Sequence, residues 1–130
     1  MTLSAADRLE ILDVIGRADA AATRRDAGAY ADLFTEDAVL DGSQGRHSAA
    51  ALRESVGPIW AAEGAATLHL TLNPVVDPGD VPDEAVVSSV LLIVAPATPI
   101  TIITAAAITQ KLRRSGDTWR ISRRTVAEYR

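Results

Sequence analysis

The sequence predicts an α+β fold, with helices first and an antiparallel sheet after them. Three observations carry this. Ile11, Leu12, Ile15, Ala18 and Ala22 recur at helical spacing near the N-terminus. From Ala66 the pattern changes to long strand-like runs, the first alternating strictly polar and apolar through Thr67-Leu68-His69-Leu70-Thr71-Leu72. Those runs are joined by Asp77-Pro78-Gly79-Asp80, Pro96 to Pro99 and Ser115-Gly116-Asp117, all turn chemistry, and successive strands with short connections pair antiparallel.

In chain order, Ser4 with Asp7 has the form of a capping box and opens a helix that runs to Arg25. Asp26 caps a second, shorter helix with Tyr30, Leu33 and Phe34 facing inward, ended by Thr35-Glu36-Asp37. Ala38 to Asp41 reads as a short strand, Gly42 to Gly45 as a turn, and Gln44 to His47 as the return strand of a small hairpin. Ser48 caps a third helix containing Leu52, Val56, Ile59 and Trp60, which Gly57-Pro58 is expected to bend or interrupt. Four strands follow, over 66–77, 84–95, 100–114 and 118–128. No repeat or linker divides the chain, so residues 1–130 are read as one domain.

Composition narrows the function classes. Apolar residues make up 48%, as in a globular protein, while aromatics are only 4%, so aliphatic side chains must build most of the core and most of any cavity. There is no cysteine, hence no disulfide, thiolate nucleophile or cysteine-bound zinc. A polar, acidic opening after Met1 lacks the form of a signal peptide, and Val90 to Ala97 is too short to span a bilayer, so a cytoplasmic location and no membrane partner are expected. The net charge of −4 is uneven: residues 111–130 carry +5 and the preceding 110 carry −9. Arg120, Arg123 and Arg124 fall on both faces of a strand without interleaved aromatics, which suits a solvated surface or a subunit interface and not a nucleic-acid site.

Two strands are apolar on both faces. In 84–95, Val86, Val90 and Leu92 oppose Val87, Leu91 and Ile93; in 100–114, Ile102 and Ile108 oppose Ile103 and Ala105. One face must meet the helices, and the other needs cover that the remaining sequence cannot supply. A homodimer or higher homo-oligomer through the sheet is therefore expected.

The candidate chemistry centres on His69. Alternation places it with Thr67, Thr71 and Asn73 on one strand face, opposite Leu68, Leu70 and Leu72, and a rigidly held imidazole suits proton transfer near neutral pH. On the first helix, advancing about 100° per residue puts Asp19 near 40° from Ile15, inside the apolar stripe. A carboxylate there is partly desolvated and could orient the His69 ring. No metal is expected, because His47 with Asp41 or Asp37 stands on a different segment from His69. Gly42-Ser43-Gln44-Gly45 lacks the spacing of a phosphate loop, and no dinucleotide fingerprint occurs.

The stretch Asp26-Ala27-Gly28-Ala29-Tyr30-Ala31-Asp32-Leu33-Phe34-Thr35-Glu36-Asp37-Ala38-Val39, with Gly45, His69 and Asn73, and Trp119-Arg120-Ile121, resembles the SnoaL-like branch of the NTF2-like superfamily. The resemblance implies a strongly curved antiparallel sheet closed by N-terminal helices into a cone with an internal pocket. Dehydratase-like members commonly place a Tyr and, five residues on, an Asp on the first helix facing a strand His. Here those positions are Ala18 and Thr23, while the His position matches His69. The pocket is expected to be aliphatic, lined by Ile15, Leu33, Val56, Trp60 and Leu112 with Thr23, and to take a small hydrophobic molecule such as a polyketide, terpenoid or steroid fragment. The expected activity is a cofactor-free dehydration, isomerisation or cyclisation, with His69 and Asp19 as catalytic residues. The alternatives are a non-catalytic ligand-binding or assembly domain, and an accessory subunit like the small subunit of ring-hydroxylating dioxygenases.

Overall fold

The structure, a computed structural model, describes residues 2–42, 45–64 and 66–129. Three helices, α1 (Ala5–Arg24), α2 (Ala27–Ala31) and α3 (Ala49–Ala62), pack on a sheet of β1 (Phe34–Gly42), β2 (Gly45–Ser48), β3 (Leu68–Pro78), β4 (Glu84–Ala95), β5 (Thr101–Ser115) and β6 (Thr118–Glu128). The strand order is β2-β1-β6-β5-β4-β3. The last four strands form the expected antiparallel meander, but β1 runs parallel to β6, so the sheet is mixed. This is the α+β plan the patterning implies.

The capping box at Ser4 forms in both directions: Asp7 N donates to Ser4 Oγ (3.0 Å) and Ser4 N to Asp7 Oδ2 (3.2 Å). Asp7 Oδ1 also accepts from the Trp119 indole at 3.3 Å, fixing the start of α1 against β6. Farther along, Arg8 donates to the Val76 carbonyl at 2.6 Å, tying α1 to β3. Trp119, Ile11, Leu52, Leu112 and Ile121 are among the largest fully buried side chains, and they fill the space between the helices and the sheet.

Several local expectations are corrected. The second helix stops at Ala31, and Phe34 already belongs to β1, opposite Ile121. The Ile121 N–H donates to the Leu33 carbonyl at 2.8 Å, and a pairing of this kind outweighs the weak tendency of so short a helix to extend. Ser48 sits at the N-cap of α3 in extended conformation, yet its hydroxyl makes no capping hydrogen bond. Pro58 does not interrupt α3, which is continuous to Ala62. The carbonyl that loses a partner belongs to exposed Glu54, where solvent can satisfy it. Of the expected turn from Gly42 to Gly45, Ser43 and Gln44 lie outside the described residues.

Strict alternation also fails at defined points. The register breaks once in each of β1/β6, β3/β4, β4/β5 and β5/β6. At the β3 break Asn73 has φ 54°, and it is exposed instead of sharing the buried face of His69. At the β5 break Ile102 pairs with Val94 and lies 59% exposed, while Ile108 is buried. At the β6 break Ser122 is passed over, since Lys111 pairs with Arg123 and Leu112 with Ile121. Each extra residue bends its strand and reverses the facing of the residues beyond it. No helix among the described residues is long and apolar enough to cross a membrane.

Truncating the core should be costly where packing is complete. Leu52→Ala, at a fully buried site on α3, should lower unfolding free energy by about 2–5 kcal/mol in denaturant titration. Leu9→Ala, 70% exposed on α1, should change it by no more than about 0.5 kcal/mol.

Candidate functional site

The inner face of α3 and the concave side of the sheet enclose a cavity of about 230 Å³ that opens to solvent. Val56 and Trp60, one helical turn apart, supply its helical wall; Leu91 and Ile93 of β4 and Val126 of β6 supply an aliphatic floor. Tyr30 of α2 packs edge-on to Trp60 with ring centres 5.3 Å apart, and Trp60 meets the His69 ring edge-on at 6.5 Å. His47 of β2 also borders the cavity.

His69 reaches the cavity wall because β3 turns its polar face inward. Thr67 and His69 are buried, while Leu68, Leu70 and Leu72 are 38–39% exposed. The partner of the imidazole is Glu63, whose Oε1 lies 2.8 Å from His69 Nε2. Glu63 is the C-cap of α3, and Gly64 follows with φ 113°, a conformation open to glycine, so the chain leaves the helix abruptly there. The same Glu63 oxygen accepts from Thr67 Oγ1 at 2.9 Å and from Arg25 Nη1 at 3.4 Å. Arg25 also donates to Thr67 Oγ1 and to the Gly64 carbonyl, both at 3.0 Å. The backbone of His69 is held from α1, its N–H donating to Thr23 Oγ1 at 3.0 Å.

These contacts set protonation. Burial alone would raise the Glu63 carboxyl, but hydrogen bonding and charge from His69, with Thr67 and Arg25, more than offset it and hold it below its ordinary value. An ionised carboxylate only accepts, so Nε2 of His69 carries the proton toward it and a neutral ring keeps its lone pair on Nδ1. Such a ring can take up and return a proton while staying fixed. Burial pushes the Tyr30 phenol up, which keeps it protonated. Among the described residues no group of three or more His, Cys, Asp or Glu side chains could hold a metal ion.

Asp19 is half-buried on α1, as its place in the apolar stripe implies, and burial raises its carboxyl against the opposing influence of Thr71, Arg124 and His69. It is not the hydrogen-bonded partner of His69; Glu63 holds that position, on the helix next in sequence to β3. Val56 and Trp60 line the cavity. Ile15 and Leu112 instead belong to the main core, and Leu33 packs against it. Thr23 contributes through the His69 backbone instead of the cavity wall. Two residues escape the sequence pattern. Glu63 carries a faint signal as the last acidic residue before the glycine that ends α3, six positions ahead of His69. Arg124 borders the cavity and is buried, contrary to a solvated or interfacial place, because the β6 break turns it inward.

Residues 4–125 match the SnoaL-like domain. The chain belongs to the SnoaL-like family. No curated protein sequence matches it. Among solved structures, this SnoaL-like chain is similar to a cystatin-like protein of unknown function from Nostoc punctiforme, at 23% identity and TM-score 0.82, over 99% of this chain and 96% of that one. It is also similar to a function-unknown protein from Mycobacterium tuberculosis, at 22% identity and TM-score 0.86, over 98% and 79% of the two chains. An NTF2-like protein with a cystatin-like fold from Novosphingobium aromaticivorans aligns at 22% identity and TM-score 0.79, over 94% and 81%. At these identities the likeness is one of fold.

The raised Asp19 carboxyl of this SnoaL-like domain gives a signed expectation. Its folded-state value lies above the unfolded one near 3.8, so the folded state binds the proton more tightly and stability from this group falls as pH rises through the folded value. Asp19→Asn removes that loss. Urea unfolding should show the variant gaining on the native protein at pH 7 relative to pH 3.5; a difference independent of pH would refute the assignment.

Proposed function

We propose that this SnoaL-like protein binds a small, largely apolar molecule in the cavity and moves a proton on it without a cofactor. His69 is the acid–base group and Glu63 the residue that positions it. The reading rests chiefly on the 2.8 Å contact between His69 Nε2 and Glu63 Oε1 at the wall of a cavity open to solvent. A general base needs a fixed ring, a defined tautomer and access to substrate, and this pair supplies the first two beside the third. Abstraction of a proton α to a carbonyl is the step common to dehydration, isomerisation and cyclisation. The aliphatic floor favours carbon-rich substrates and limits competing water.

A binding module without turnover is the second reading. It is favoured by Ala18 and Thr23, which occupy the positions where dehydratase-like members of the family carry Tyr and Asp. Proton exchange separates the two. Small apolar ketones such as cyclohexanone, incubated with the protein in deuterium oxide, should exchange their α-protons faster than in buffer, as followed by NMR. His69→Ala should slow the catalysed exchange by roughly 10²–10⁴-fold with binding retained. Glu63→Gln should retain part of the rate and change its pH profile. Binding without exchange in the native protein would leave the module reading.

The outer face of the sheet supports a second copy as partner. Leu70 lies opposite Leu92 and Leu72 opposite Val90; Leu92 and Val90 lie opposite Ala105 and Ala107, and Val94 opposite Ile102. These side chains form a continuous aliphatic strip in which Val94 is already covered and Leu68, Leu70 and Leu72 are more than a third exposed. A self-complementary cover is the simplest match to such a surface in a symmetric assembly. Sedimentation should find a dimer or higher oligomer for the native chain and a monomer for Leu70→Glu. A native monomer at high micromolar concentration would sink the idea.

A further inference from the structure

We propose that Arg124 is an anion-binding residue and that the ligand of this cavity is a small apolar carboxylate, its carboxyl group seated on the Arg124 guanidinium. The inference deepens the functional reading above and rests on the cavity being a ligand site. Arg124 is 5% exposed and borders the cavity. Its guanidinium sits 5.9 Å from the Tyr30 ring centre, a contact that stabilises a cation but accepts no hydrogen bond along the guanidinium plane.

Burial sets Arg124 apart from the other arginines, since Arg24 and Arg120, which have no ion pair among the described residues either, are exposed to solvent. Arg17, Arg25, Arg46, Arg53, Arg113, Arg114 and Arg123 each have a carboxylate within ion-pair distance, and Arg8 donates to a backbone carbonyl. Arg124 has neither among the described residues, although it is the most buried of them. Asp19 acts on it only from beyond ion-pair distance, and burial favours the neutral form of that carboxyl. A permanent charge held at 5% exposure without an ion pair is costly, and a planar carboxylate is the acceptor that matches the guanidinium fork. A second unpartnered group neighbours it, behind the cavity lining. Gln110 lies directly opposite Arg124 across β5 and β6, is fully buried, and neither its amide nitrogen nor its oxygen has a partner among the described residues.

The rest of the ligand is set by the walls. Leu91, Ile93 and Val126 give an aliphatic bed, and Glu63 and Glu128 on the same lining repel further negative charge, so the single carboxylate belongs to a compact hydrocarbon body instead of a polyanion. Arg124, Tyr30, Trp60 and His69 touch in succession along one wall. A ligand anchored by its carboxylate at Arg124 is thereby held within the cavity that His69 borders.

Calorimetric titration with cyclohexanecarboxylate and with its neutral isostere cyclohexanecarboxamide, at pH 7, tests this. The native protein should bind the carboxylate roughly tenfold or more tightly than the amide. Arg124→Gln should abolish that preference while leaving amide affinity within about twofold, and Arg124→Lys should restore part of it. Equal affinity for both probes in the native protein would overturn the proposal while leaving the cavity a ligand site. Binding of neither probe would overturn it together with that site. If Arg124→Gln does not fold, the native comparison and Arg124→Lys still decide.

Discussion

Four of the five strand pairings lose register once, and the shape of the molecule follows from those breaks. A regular sheet of this width would twist but stay open, leaving α1 and α3 nothing to close over. An extra residue in one strand of each pair bends it, and bends repeated across neighbouring strands make a concave face. Each bend also exchanges inside for outside beyond it. The break near Asn73 and Pro74 brings Val76 inward, and the break at Ser122 brings Arg124 inward. Curvature and the chemical content of the cavity are therefore one event, since the residues that bend the sheet decide which side chains it encloses.

Inside that concave face, two carboxyl groups meet opposite fates. Glu63 sits where His69, Thr67 and Arg25 converge on one oxygen, and it stays ionised despite partial burial. Asp19 meets weaker opposition to its burial and is driven toward the neutral form. Environments that push like groups apart separate their roles. Glu63 can fix the His69 tautomer because it remains an acceptor, whereas a carboxyl tending to neutrality on α1 is a poor anchor for an imidazolium. The partner of the histidine is thus set by the junction of α3 and β3 and not by the first helix.

The periodic parts of this fold were legible in the sequence. The helical stripe of α1, the capping box at Ser4 and Asp7, and the four long strands emerge close to their expected bounds because each rests on local patterning. The parallel seat of β1 beside β6 was not, because it depends on a contact between Leu33 and Ile121, far apart in the chain. His69 was legible because its strand alternates without a break through Leu72. Arg124 was hidden because alternation counted from Trp119 and Ile121 puts Arg123 inside, and a single passed-over residue reverses that. Glu63 was hidden for another reason. A helix-terminal carboxylate looks like any solvated cap until the next turn folds it back onto β3.

The inversion of β3 links the inside of the molecule to its outside. An antiparallel strand with one wet face ordinarily buries its leucines and exposes its polar residues. Here Thr67 and His69 are buried and Leu68, Leu70 and Leu72 face outward. Such a strand gains little from its own hydrophobic face within one chain, so its placement rests on the polar contacts it makes inward: Thr23 with the His69 backbone, and Glu63 with Thr67 and the His69 ring. Rotating β3 by one residue would bury the leucines, but it would also strip Glu63 of its two closest partners and expose the imidazole. The register that turns the polar groups inward is the one that leaves the leucines on the outer face. One strand register thus sets the chemistry of both faces at once.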